Sequence, residues 1–160
     1  MAWSDSRIFR EWAVGPMMQA AGTSYTGLDS DTASVALFNN SVTPDRDAAV
    51  ANTGFNTGTW VTANEVTDAT NWVSGGRNLA SKTFTTPATG VAMFDAADLA
   101  GGGNVTLADV HGCLVYDNSI TGGTVADQGV CYNYFGGAQA VTAGQFTIVW
   151  SVNGIKRITV

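Results

Sequence analysis

The residues able to do chemistry in this chain are few and scattered. His111 is the only histidine, and a nucleophilic Ser–His–Asp set would have to be assembled around it. Asp109 and Asp117 are the carboxylates positioned to orient its ring, with a serine to come from elsewhere. The G-x-S-x-G elbow that exposes a nucleophilic serine is missing, so His111 reads as a structural residue at the start of an apolar strand. Cys113 and Cys131, with one histidine, are too few for a zinc set. They read as buried thiols that face each other if their strands are neighbours. The acidic pairs Asp29/Asp31, Asp45/Asp47 and Asp95/Asp98 offer oxygen ligands to Ca²⁺, but none is followed by the glycine and glutamate of a calcium loop. Gly101-Gly102-Gly103-Asn104 lacks the lysine of a phosphate loop. With eleven Asp and two Glu, a glycosidase-like carboxylate pair is available by residue type, yet nothing selects one. The expectation is a non-enzymatic protein without cofactor or metal.

The aromatic residues allow a different function. Trp60, Trp72, Tyr132, Tyr134 and Trp150 could stack on the apolar faces of sugars. Large aromatics in strands are more often core or subunit interface.

Composition narrows the class further. Charged residues make up 12% of the 160, about half of what globular chains carry, so solubility must rest on Thr, Ser, Asn and the 19 Gly. β-Branched Thr suits half-exposed strands and Gly suits turns, which is an all-β composition. The net charge of −6 comes with two lysines and five dispersed arginines, which denies duplex nucleic acid the cation cluster it needs. No run approaches 18 apolar residues, so no membrane-spanning helix is expected. Met1-Ala2-Trp3-Ser4-Asp5 does not resemble a signal peptide, which implies synthesis in a reducing compartment.

Elements follow from periodicity. Ser4–Val14 is the helix candidate: Ser4 as cap, Asp5 at the positive end, Ile8 and Trp12 one turn apart, and Gly15-Pro16 as stop. A helix this short must dock, either on its own domain or as an arm on a neighbouring subunit. Ser34–Phe38 reads as a strand, and Thr43-Pro44-Asp45 opens a short helical turn through Val50. Thr62–Glu65 has capping-box spacing. Leu79–Thr85 alternates as a strand broken by Pro87, Val91–Ala96 forms another, and Val105–Leu107 is a short strand or turn. The last third carries Val110–Tyr116, Val125–Phe135, Gln145–Val152 and Ile155–Val160. Gly136-Gly137 reads as a turn and Asn153-Gly154 as a hairpin turn. Val110–Tyr116 is apolar on both alternating faces and so must be covered on both. The architecture expected is mainly β: residues 1–31 a docking helix or arm with its connector, and residues 32–160 a single β-sandwich or jelly-roll-like domain.

Four blocks carry a resemblance: Val35–Asp45 (VALFNNSVTPD), Val91–Asp98 (VAMFDAAD), Asp109–Asp117 (DVHGCLVYD) and Asp127–Gly137 (DQGVCYNYFGG). Together they resemble small structural proteins of tailed bacteriophages, particularly those infecting actinobacteria. The likeness runs from about Ser34 to Val160 and leaves out the N-terminal segment. It implies a virion component, made in the host cytoplasm and carried on the capsid surface. The implied role is a decoration protein that binds the shell of the major capsid protein and links neighbouring capsomers. By analogy with other decoration proteins, it implies a homo-oligomer, most simply a trimer. A tail-associated adhesin or minor tail protein that binds host surface carbohydrate is the alternative. Trp3, Ile8, Phe9 and Trp12 place four large apolar groups in the N-terminal segment and are the expected contacts to capsid or sister subunit.

Overall fold

A strand apolar on both faces has to be sandwiched, and Val110–Tyr116 is so covered in the computed structural model, which describes residues 3–9 and 27–159. Ten strands occur among the described residues: β1 Arg7–Ile8, β2 Ala33–Phe38, β3 Arg77–Asn78, β4 Thr83–Ala88, β5 Val91–Asp95, β6 Leu99–Ala100, β7 Val105–Asp117, β8 Gln128–Gly144, β9 Thr147–Ile148 and β10 Lys156–Thr159. They form antiparallel sheets in the orders β1-β8-β7-β2-β3, β10-β5-β4 and β6-β9. The chain is mainly β and sandwich-like, as its composition implies.

The long β7–β8 pair forms the spine. β2 lies against it with Ala36 opposite Leu114 and Leu37 opposite Cys113, and every residue of β2 is buried. One face of this sheet carries Leu114, Tyr116 and Tyr132, and over it lie Trp3, Phe9 and Trp60. The other face carries Cys113, Val115 and Cys131. Phe94 of β5, paired with Lys156 of β10, is buried in the same core as Cys113, Val115 and Cys131, so the β10-β5-β4 sheet covers that side. No helix longer than a single 3₁₀ turn occurs among the described residues, at Val50–Asn52 and Thr62–Asn64.

The N-terminal segment departs from the helix expectation. Residues 4–9 are extended, and Arg7 and Ile8 pair with Tyr132 and Cys131 as an edge strand on β8. Helical spacing would put Ile8 and Trp12 on one face, but the extended chain gives Trp3 and Phe9 separate seats. Both seats are glycines. A methyl at Gly112 would lie 2.6 Å from Trp3 Cζ3, and one at Gly129 would lie 2.6 Å from Phe9 Cε2. Ser4 does not act as a helix cap; Ser6 Oγ instead accepts the Tyr134 N–H at 2.7 Å. Trp12 and Gly15-Pro16 lie outside the described residues.

Other local expectations give way to competing bonds. The Thr43–Val50 helical turn is not formed: Asp45 Oδ1 accepts the Asp47 N–H at 2.8 Å, a local turn that competes with helix. Glu65 does not close a capping box, because its carboxylate takes Ser74 Oγ–H at 2.6 Å and Gly75 N–H at 2.8 Å. Pro87 does not break its strand; it sits in β4, an edge strand, where the register shifts between Thr85 and Ala88. Gly136-Gly137 is a bulge inside β8, not a turn: between the pairs Gly112↔Tyr134 and Val110↔Gln139, His111 alone faces Phe135–Ala138. Asn153-Gly154 does turn the chain, with Gly154 N–H bonded to Ser151 O at 2.7 Å. The strands it joins go to different sheets, β9 to β6 and β10 to β5, so no hairpin forms.

The glycine seats make a direct test. Gly112→Ala would set a methyl 2.4 Å from Asn133 O as well as against Trp3. We expect a loss of about 1–3 kcal/mol, read as a lower thermal midpoint, with tryptophan fluorescence shifted as Trp3 is displaced. Gly136→Ala meets nothing within 4 Å. It should cost only the strain of its positive φ, about 1–2 kcal/mol, and leave the fluorescence unchanged.

Candidate functional site

The expected contact residues divide on inspection. Trp3 is 1% exposed and Phe9 0%, both enclosed by this chain's own aromatic cluster. Ring centroids lie 5.8 Å apart for Trp3–Trp60, 5.5 Å for Phe9–Tyr132 and 5.2 Å for Phe38–Trp60, mostly edge to face. The Trp3 indole N–H donates to Asn39 O at 2.9 Å, and Phe9 N–H to Val130 O at 3.3 Å. Ile8 is half-buried at the sheet edge. Trp3 and Phe9 therefore pack inside the fold as described, instead of standing free on its surface. The signal that could have shown this is the pair of glycines in otherwise apolar strands, which mark close approach of another group.

His111 is not joined to a hydroxyl nucleophile by any hydrogen bond described. Its Nε2 lies 3.0 Å from Asp109 Oδ1, while Nδ1 is buried without a partner. Asp117, the other candidate orienter, stands at the far end of β7, where its Oδ1 accepts the Ser119 N–H at 2.9 Å. Cys113 and Cys131 are free and buried, both about a hydrogen-bond length from Asn133 Nδ2, at 3.9 and 3.8 Å. Burial pushes both thiols up, away from the reactive thiolate. The acidic pairs are spread out: Asp98 Oδ1 takes the Trp150 N–H at 3.0 Å, and Asp45 closes its local turn. Among the described residues no three His, Cys, Asp or Glu side chains are placed to share a metal ion.

The sugar-stacking set is likewise dispersed into the interior. Trp60, Trp72 and Tyr132 are buried, while Tyr134 and Trp150 are half-buried, the Trp150 indole donating to Ala97 O at 3.2 Å. What does face outward is apolar and aliphatic or phenyl in type. Phe84 is 52% exposed, Ile158 46%, Val149 71% and Val152 95%. Phe84 pairs with Phe94 and Ile158 with Ala92, and Phe94 and Ala92 point to one face of β5, so Phe84 and Ile158 share a face of the β10-β5-β4 sheet. Beside them β4, at the sheet edge, is exposed throughout and carries no charge. That face also carries the buried Phe94, whose ring lies 5.2 Å from that of Phe84, so Phe84 and Ile158 form the uncovered margin of the face that packs on the five-stranded sheet.

Comparison with protein-family models, with curated proteins and with solved structures gives no match to this chain.

One buried polar contact was invisible in the sequence. Asp31 and Asp117, far apart in the chain, are both buried and meet where β2 begins beside the end of β7. Lys82 Nζ donates to the Asp31 carbonyl and lies close enough to favour ionisation of Asp117. Burial outweighs that help, and with the Asp31 carboxylate beside it Asp117 is pushed up to about 7 from an ordinary 3.8. The unfolded chain releases this proton near pH 4 and the folded chain near pH 7, so between those values the folded state binds more protons. Stability from this group should therefore fall as pH rises from about 4 to 7, by at most ~1.4 kcal/mol per pH unit, and level off above. Asp117→Asn should flatten that slope in denaturant melts taken from pH 4 to 8.

Proposed function

We propose that this chain is a non-enzymatic virion protein of a tailed phage that decorates the capsid surface, binds the major capsid protein shell and links neighbouring capsomers. The observation that carries the reading is the exposed apolar margin of the β10-β5-β4 sheet, with Phe84 and Ile158 uncovered beside an uncharged edge strand. Contiguous apolar surface on a chain with so few charges marks a place that another macromolecule covers. The phage-protein resemblance of the four sequence blocks supplies the identity of that cover. The groups able to react support the non-enzymatic part: His111 is tied to Asp109, and both thiols are buried and inert. The carbohydrate-binding alternative loses support because Trp60, Trp72 and Tyr132 are used inside the fold.

A decoration protein adds to a finished shell, so its body must fold without the shell and its contact face must be separable from its core. Phe84 and Ile158, 52% and 46% exposed, offer such a face at the margin of the core, the Phe84 ring lying 5.2 Å from that of buried Phe94. Substituting both with Asp should leave the thermal midpoint within about 1 kcal/mol of the unaltered chain. Binding to isolated shells, measured by co-sedimentation, should fall at least tenfold. Electron microscopy of the virion gives the second check. Many copies over the head agree with decoration, whereas a few copies at the tail tip would replace this reading with the adhesin. A preformed trimer is tested by native mass measurement at micromolar concentration.

Deleting residues 1–9 separates this face from the arm. The deletion uncovers Trp60 and Tyr132, so the melting temperature should drop, and shell binding should follow the folded fraction. Loss of shell binding at full folding would instead assign the shell contact to the arm.

A further inference from the structure

We propose that the β8 edge with its two glycine seats is a strand-acceptor site for the N-terminal arm of a second copy of this chain, so that neighbouring copies are linked by exchanged arms. The proposal deepens the decoration reading by naming the link between neighbours, and it rests on that reading for where the exchange takes place.

The contact itself is modular. Residues 3–9 hold to the body through two strand pairs, Arg7↔Tyr132 and Ile8↔Cys131, and through Trp3 and Phe9 seated against Gly112 and Gly129. Every partner in that contact belongs to β7, β8 or the segments packed on them, and none requires the arm to come from the same chain. An arm from a neighbour would make the same bonds. Its outward charges, Asp5 and Arg7, form an ion pair at 3.1 Å, so the arm brings no net charge against a body of net charge −6.

Chain length points to the second copy. β1 and β2 stand three places apart in the order β1-β8-β7-β2, a gap of about 14 Å at ~4.8 Å per strand. The chain leaves the arm after Phe9 and is next described at Gly27, in the turn that leads into β2, so residues 10–26 are available to join them. Seventeen residues reach roughly 55–60 Å when extended, several times what the internal path requires. Copies fixed side by side on a surface hold their grooves within that reach, and a head-to-tail exchange of arms makes a ring where the rotation between copies closes.

The pair Ile8↔Cys131 provides the readout, because facing residues on antiparallel strands lie within disulfide range. Full-length Ile8→Cys in a Cys113→Ala background would be oxidised mildly, once free in solution and once bound to shells, and run on denaturing gels without reductant. Exchange predicts covalently linked chains as the main product on the shell, returning to single chains on reduction. Single chains on the shell, whether the thiols have bridged internally or remain free, overturn the proposal while leaving decoration intact. Linked chains in a protein that does not bind shells would uphold the exchange and sink the decoration reading. If the double variant does not fold, Ile8→Cys with Cys113 kept gives the same readout.

Discussion

The rest of this structure depends on one constraint: β2 and the Val110–Asp117 half of β7 have no solvent-facing side. Val110–Asp117 and all of β2 are buried. Such strands are unstable as the outer layer of anything. They force a layer on each side, and the sequence supplies two of different kinds. On the cysteine face the cover is a sheet, β10-β5-β4, drawn from the middle and the very end of the chain. On the tyrosine face it is a patchwork of aromatic side chains from loops and the arm, with Trp60 at its centre in contact with Trp3, Phe9, Phe38 and Tyr132.

The two covers hold by different margins. The second sheet is tied in by strand pairing along β4, β5 and β10. The arm has two anchors. Burying Trp3 and Phe9 contributes roughly 1.5–3 kcal/mol each, and the few hydrogen bonds about 1 kcal/mol each. Ordering seven residues costs about 1–2 kcal/mol apiece. These sums come close to cancelling, so the arm belongs to the part of the fold that opens locally at low free energy. Removing it lays bare Trp60 and Tyr132, which gives the groove its affinity for whichever arm is nearest.

How much of this was legible in the sequence follows the same division. The β class, the buried character of Val110–Tyr116, and the strands at Ser34–Phe38 and Val91–Asp95 could be read from alternation and composition, because those signals are local. The arm could not. Residues 4–9 carry a helix-like cap and acid, and only the distant glycines at 112 and 129 decide that the segment lies extended. Asn153-Gly154 was legible as a turn but not as a parting of strands, since the turn residues fix the reversal and the partners are chosen by packing. Gly154 lies so close to Phe94 O that a methyl there would be 2.6 Å away. The Asp31–Asp117 contact had no sequence signal at all, because neither residue differs in its neighbours from an ordinary surface aspartate. The exposed apolar pair is partly legible: Leu79–Thr85 alternates as a strand, but the exposure of Phe84 follows from β4 lying at a sheet edge.

Edge position also explains how this chain tolerates so much uncharged surface. An exposed edge strand ordinarily invites uncontrolled pairing, and charge is the usual guard. β4 has no charge; its guard is Pro87, which removes a backbone donor where the register already shifts. β10, at the opposite edge of the same sheet, carries Lys156 and Arg157 instead. Backbone pairing is thereby discouraged at both edges while side-chain contact across Phe84 and Ile158 stays open. A sheet built this way resists the addition of a strand at either edge. On the five-stranded sheet the arrangement is reversed, since the β8 edge accepts a strand by design of its glycines and that strand is the chain's own type of arm. The exposed apolar pair and the strand-accepting edge then lie on different sheets and do not compete.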